Sequence, residues 1–137
     1  MSTENQPSVL YGPKTPDLWH KTIGQLIKEQ ASQNGHRTAL IVRWQSFRST
    51  YAELADRARR VSLALLNHGL RHGDCVGVMA GNRYEYIDVF LGAAGIGCPV
   101  VLLNNTYSPD ELLNACRQSC KSLFFQGEHF NSCATEC

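Results

Sequence analysis

Between residues 75 and 126 the sequence alternates short, uniformly apolar runs with amphipathic runs that carry helix-start signals, and this alternation restricts the fold more than any other feature. The apolar runs at 75–79, 98–103 and 121–126 have too few polar positions to be half-solvated strands, so both of their faces need cover. The helical runs between them can supply it. Asn82 is read as the cap of a helix whose buried stripe is Ile87, Phe90, Leu91 and Ala94, ended by Gly95 and Gly97. Ser108, Pro109 and Glu111 form a second start, with a cap, proline at the first helical position and an acid at the third; that helix carries Leu112, Leu113 and Cys116. Pro99 opens its strand, where a missing N–H is tolerated. Strand–helix–strand–helix–strand with short loops predicts parallel pairing through right-handed crossovers. The expected fold class is therefore α/β, a partial parallel layered sheet with helices on both faces.

Upstream, residues 1–17 are polar, contain Pro7, Pro13 and Pro16, and read as an extended arm. Thr22 with Gln25 is a capping box for a helix that presents Ile23, Leu26 and Ile27 on one face and stops at Gly35. Residues 38–43 and 46–49 read as two short strands around a tight turn near Gln45, with Ala39-Leu40-Ile41-Val42 apolar enough to be buried. Thr50 with Glu53 is a second capping box. Behind it Leu54, Ala58, Val61 and Leu65 make one helical stripe, which ends at His68-Gly69. Arg57, Arg59 and Arg60 fall mainly off that stripe and read as a solvated face. After Gln126 periodicity is lost. The expected organisation is an arm at 1–17, one unit at 18–126 and an irregular tail at 127–137.

The charge balance removes some function classes. Thirteen Lys and Arg against twelve Asp and Glu give a net charge of +1, without the basic surplus that phosphate-backbone binding needs, so nucleic acid is not an expected partner. No run approaches a membrane span of roughly 18 apolar residues. The first residues, Met1-Ser2-Thr3-Glu4, have neither the basic nor the apolar region of a secretory signal, so a cytoplasmic protein is expected and the six cysteines read as thiols.

The local motifs occur in a familiar order. Thr50-Tyr51-Ala52-Glu53-Leu54 is followed by Gly69-Leu70-Arg71-His72-Gly73-Asp74-Cys75-Val76 and by Gly81-Asn82-Arg83-Tyr84-Glu85. Phe90-Leu91-Gly92-Ala93-Ala94-Gly95-Ile96-Gly97-Cys98-Pro99-Val100-Val101 and Asn104-Asn105-Thr106-Tyr107-Ser108-Pro109-Asp110-Glu111-Leu112 complete the series. This series resembles the opening of the adenylate-forming, AMP-binding superfamily, over about residues 18–126. The Asn-Asn-Thr-Tyr form and the Trp44-Gln45 hairpin look most like fungal acyl-CoA synthetases. The resemblance implies the N-terminal portion of the large domain of such an enzyme. It also implies a parent reaction in which ATP, with Mg²⁺, activates a carboxylic acid to an acyl-adenylate that is passed to coenzyme A. The family's Ser/Thr/Gly-rich phosphate loop, its adenine and metal block, its ribose-binding Asp and its catalytic Lys have no counterpart in this sequence. No family residue carries over, and the expected catalytic, cofactor-binding and metal residues of this chain are none.

Other candidates have plain structural readings. Gly92, Gly95 and Gly97 follow a helix and precede a strand, the reverse of a phosphate loop, and read as a helix end. Cys116, Cys120, His129, Cys133 and Cys137 include enough soft ligands for zinc, yet Cys116 and Cys120 are spaced as one helical face, and no metal site is expected. His68 and His72 suit a helix C-terminus; His20 and His36 stand near loops without an acidic partner. Tyr84 and Tyr86 read as the wall of a helix against a sheet. The expected function is that of a truncated acyl-CoA synthetase-like protein, inactive alone and partnered by its missing remainder. The alternative is a non-catalytic interaction module that binds a full-length relative. Either way an open sheet edge near Leu123-Phe124-Phe125 is an expected aggregation hazard.

Overall fold

Three of the four described helices begin at capping boxes. In the computed structural model, which describes residues 11–13, 15–119 and 123–126, Thr22 Oγ1 accepts from the Gln25 N–H at 3.1 Å and Gln25 Oε1 accepts from the Thr22 N–H at 2.9 Å. Helix α1 then runs over Ile23–Asn34. Thr50 and Glu53 make the same reciprocal pair at the head of α2, Tyr51–Asn67. Ser108 and Glu111 make it at the head of α4, Pro109–Ser119. The N–H groups of Thr50 and Ser108 hold the Glu53 and Glu111 carboxyls below the usual carboxylate range. A lowered folded-state pKa means that this support is present above the unfolded value and is lost as the pH falls through the folded one.

Strands β1 (Thr38–Val42) and β2 (Phe47–Thr50) pair antiparallel around one 3-10 turn at Arg43–Gln45, and Ser46 takes the left-handed conformation that returns the chain. The expected burial of Ala39-Leu40-Ile41-Val42 is not met. A two-stranded ribbon packs one face on α2 and leaves the other open, so Ile41 is 50% exposed.

The second sheet is parallel, with β3 (Val76–Met79) between β4 (Val100–Leu102) and β5 (Leu123–Gln126); Val76 pairs with Val100 on one side and Leu123 on the other. Helix α3 (Tyr84–Gly95) connects β3 to β4, and α4 carries the chain back past β3 to β5. With right-handed crossovers this reversal of direction puts α3 and α4 on opposite faces. The core contains Leu65 and Leu70 from the end of α2 and its turn, Val76 and Val78 from β3, Val89 and Ala93 from α3, and Cys98.

The buried face of α3 differs from the expected one. Asp88, Val89, Gly92 and Ala93 are buried, whereas Ile87, Phe90, Leu91 and Ala94 are half-buried. Apolar residues surround most of this helix, so hydrophobic spacing cannot choose between faces. Close approach chooses instead. A β-carbon on Gly92 would lie 2.6 Å from Val61 Cβ and Cγ1 and 2.9 Å from the Ala58 carbonyl oxygen, and Ser62 Oγ donates to the Gly92 carbonyl at 2.7 Å. Helices α2 and α3 therefore touch backbone to side chain, with no room for a residue larger than glycine. Gly97 is constrained twice: its φ is +75°, and the His72 imidazole lies where a side chain would go, 2.3 Å from the position of a β-carbon.

Candidate functional site

The turn between β1 and β2 reaches across to the head of α3, and this contact builds the most structured polar cluster among the described residues. Asn82 does not cap α3, as its position predicts. The cap residue is Arg83, which makes no side-chain capping bond. The acceptor comes from the hairpin: Gln45 Oε1 takes the Tyr84 N–H at 2.9 Å, and Gln45 Nε2 donates to Glu85 Oε2 at 3.1 Å. Trp44 Nε1 donates to the Asn82 carbonyl at 2.9 Å, and the Arg83 guanidinium lies 5.7 Å from the Trp44 ring centroid. A glutamine about 39 residues upstream thus does the work of an N-cap. Gln45→Ala should cost about 1 kcal/mol, the usual value of an N-cap acceptor. It should raise amide exchange at Tyr84 and Glu85 while leaving α2 protected, which hydrogen-exchange mass spectrometry resolves.

Beneath this contact Arg57 is not on a solvated face. Its side chain is 22% exposed, and its Nε donates to Asp88 Oδ2 at 2.8 Å. Its Nη1 donates to Ser49 Oγ at 2.9 Å, and Ser49 in turn donates to the Thr50 carbonyl. The guanidinium stands 4.9 Å from the Phe47 ring and 5.8 Å from the Tyr84 ring, which stack on each other at 3.7 Å. Burial raises the Asp88 carboxyl above its usual range, against the opposing pull of Arg57. One ion pair therefore ties β2, α2 and α3 together. Arg59 and Arg60 do lie on the exposed face, both paired with Asp56. The Tyr84 ring meets the hairpin, and Tyr86 packs against the core.

Above the cluster a cleft of about 550 Å³ opens past the carboxyl end of β3, between Ile41–Trp44 of the hairpin, Ala80 and Asn82, and the first turns of α3. The cleft was not legible in the sequence, because its walls come from two stretches, 41–44 and 80–87, that are about 40 residues apart and are joined by Trp44, Gln45 and Phe47.

At two of the described helix N-termini a carboxylate already stands where an anion would sit. Anions bind where helix N–H groups are open. Here the N-termini of α2 and α4 are closed by the carboxylates of Glu53 and Glu111, and that of α3 by Gln45 beside Glu85. Among the described residues no three His, Cys, Asp or Glu side chains stand close enough to hold a metal. Cys116 is buried, while Cys120, His129, Cys133 and Cys137 lie outside the described residues. Gly92 and Gly95 sit in the last turns of α3 and Gly97 just past them, as a helix end rather than a phosphate loop. His20, His36, His68 and His72 are exposed and are not brought together at this site. No described helix is long and apolar enough to cross a membrane.

A mixed α/β fold with an antiparallel hairpin, a parallel three-stranded sheet and covering helices is that of the opening of an adenylate-forming large domain. The chain belongs to the AMP-binding enzyme family, whose model matches residues 27–136. It is 45% identical over 114 residues to the acyl-CoA ligase cnsG of Penicillium expansum, a match that covers 83% of this chain and 24% of that one. It is 43% identical over 118 residues to the acyl-CoA ligase sidI of Aspergillus fumigatus, covering 85% and 20%. Among solved structures, a fatty acyl CoA synthetase of Mycobacterium tuberculosis superposes with a TM-score of 0.75 at 25% identity, over 78% of this chain and 21% of that one. The N-terminal domain of FACL13 from the same organism gives 0.75 at 27% identity, over 79% and 27%. The chain thus spans about a fifth to a quarter of the length of the curated ligases it matches, at their N-terminal part.

Proposed function

We propose that residues 18–126 form the N-terminal scaffold of the large domain of an ATP-dependent acyl-CoA ligase and carry out no catalysis alone. The observation that carries this reading is the unequal coverage: most of this chain aligns with a small N-terminal share of each ligase. In the whole enzyme, ATP with Mg²⁺ and coenzyme A would be held by residues outside this chain, and the acid would be activated as an acyl-adenylate. The part given to this segment is to hold the β3–β4–β5 sheet and the α2–α3 pair in register. A cytoplasmic setting suits such an enzyme. Exposed Trp44 and Leu102, and the outer edges of β4 and β5 that no other described strand pairs, also favour a second reading, a module that pairs with a full-length relative.

The test is to incubate the purified chain with ATP, Mg²⁺, coenzyme A and a panel of fatty and aromatic acids. Pyrophosphate release and acyl-CoA formation are then followed. The expected result is no turnover above buffer. Turnover proportional to this chain, and surviving removal of host synthetases, would overturn the scaffold reading.

A further inference from the structure

We propose that Thr15, in the arm that leads to α1, is a phosphorylation site for a proline-directed protein kinase. This site is separate from the scaffold role and does not depend on it.

Thr15 stands in the run Pro13-Lys14-Thr15-Pro16. A protein kinase holds its substrate as an extended segment, and the two prolines favour that shape. Pro16 disfavours the helical region for Thr15, and Pro13 fixes its own φ. Pro16 also has no N–H. It therefore suits a kinase pocket that offers no acceptor to the residue after the hydroxyl, where any other residue would bury an unpaired donor. The structure leaves the segment accessible. Thr15 is exposed, between Tyr11 at 90% and Leu18 at 83% exposure, and residues 15–21 belong to no helix or strand. Among the described residues no group holds the Thr15 hydroxyl.

The fold treats the other hydroxyl that precedes a proline, Ser108 before Pro109, in the opposite way. Ser108 Oγ donates to Glu111 Oε2 at 2.8 Å, and the Ser108 N–H donates to the same oxygen at 2.8 Å. Pro109 already begins α4. Transfer to Ser108 would break the cap, unwind the first turn and set a phosphate against the Glu111 carboxylate. Exposure alone does not separate the two, since both residues are exposed. What separates them is whether the hydroxyl and its backbone are already committed to a helix start.

In the reaction the γ-phosphoryl of ATP passes to Thr15 Oγ1. The new O–P bond forms as the bond to the β-phosphate oxygen breaks, ADP leaves, and the hydroxyl proton goes to the base of the kinase. The product adds a charge of about −1.5 to −2 between Lys14 and Asp17. Thr15 takes no part in the core, so the modification changes what the arm meets and leaves the packing intact.

The purified chain is incubated with ATP, Mg²⁺ and a mitogen-activated protein kinase, and tandem mass spectrometry locates and times the phosphate. The expected result is phosphate on Thr15, gained at least about tenfold faster than on Ser108, whose cap must be broken first. Pro16→Ala should slow transfer to Thr15 about tenfold, the cost of one N–H left without an acceptor. Thr15→Ala should remove the fast phase. Both changes lie on an exposed segment outside the core, so the variants keep the fold. A free peptide of residues 9–20 should be modified as fast as the chain. A chain left unmodified at Thr15 while a standard substrate of the kinase is consumed would overturn the proposal. So would a peptide modified at least about tenfold faster than the chain, transfer to Ser108 as fast as to Thr15, or a rate indifferent to Pro16→Ala.

Discussion

Gly92→Leu should leave the chain without a cooperative unfolding transition, and Gly92→Ala should destabilise it by about 1–2 kcal/mol even though alanine is the better helix former by about 1 kcal/mol. The reason lies in the α2–α3 contact. A β-carbon at residue 92 would sit 2.6 Å from Val61 and 2.9 Å from the Ala58 carbonyl. The carbonyl belongs to a helix backbone that cannot yield locally, so α3 must move off α2 and open the core around Val89 and Ala93. Gly81 serves as the control, because a β-carbon there meets nothing within 4 Å. Gly81→Ala should change stability by no more than about 0.5 kcal/mol. Urea unfolding followed by circular dichroism reports all three.

The second large effect is expected at Asp88. Asp88→Ala leaves Arg57 without its carboxylate in a half-buried place. Breaking a fully buried pair costs about 3–5 kcal/mol. Arg57 keeps some access to water and its bond to Ser49, so about 2–3 kcal/mol is expected here. Asp88→Asn keeps an acceptor for Arg57 and should cost less. The two changes also separate by pH. Because the folded-state pKa of Asp88 is raised, its contribution is full below the unfolded value and falls as the pH rises through the folded one. The stability of the native chain relative to Asp88→Asn should therefore decline with rising pH across and just above the carboxylate range. Denaturant midpoints of both proteins over that range measure the slope, and the opposite sign would mean that the Arg57 pairing outweighs burial.

What could be read from the sequence, and what could not, divides by the distance over which each determinant acts. The capping boxes at Thr22, Thr50 and Ser108 are local, three residues from cap to partner, and the helices start where those residues place them. The order of strands and helices and the parallel pairing follow from runs whose apolar character is unbroken. The sequence points to Asn82 as the cap of α3, but the acceptor is Gln45, which lies on another element. The position of Arg57 off the α2 stripe suggests water and carries no sign of Asp88, 31 residues further on. The buried face of α3 is not encoded in its hydrophobic spacing, because a helix that is apolar around most of its surface has no periodic signal. Gly92 is the residue that points to it, since a glycine inside a helix marks close approach as well as an end. The cleft depends on two long-range contacts at once, Gln45 with Tyr84 and Trp44 with Asn82, so none of its walls stands out as a site in the sequence.

The central claim, that this chain is the scaffold segment of an acyl-CoA ligase, is tested most directly by transplantation. The stretch of the Penicillium expansum ligase cnsG that aligns with this chain is replaced by the matching residues of this chain, and acyl-CoA formation by the chimaera is measured against the parent. The account predicts that the chimaera folds and keeps kcat/KM within about tenfold of the parent, about 1.4 kcal/mol of barrier, because no reacting group has been exchanged. A chimaera with the parent's circular dichroism and melting behaviour but kcat/KM lowered by about a thousandfold or more would contradict it, since catalysis would then rest on residues that this segment replaces.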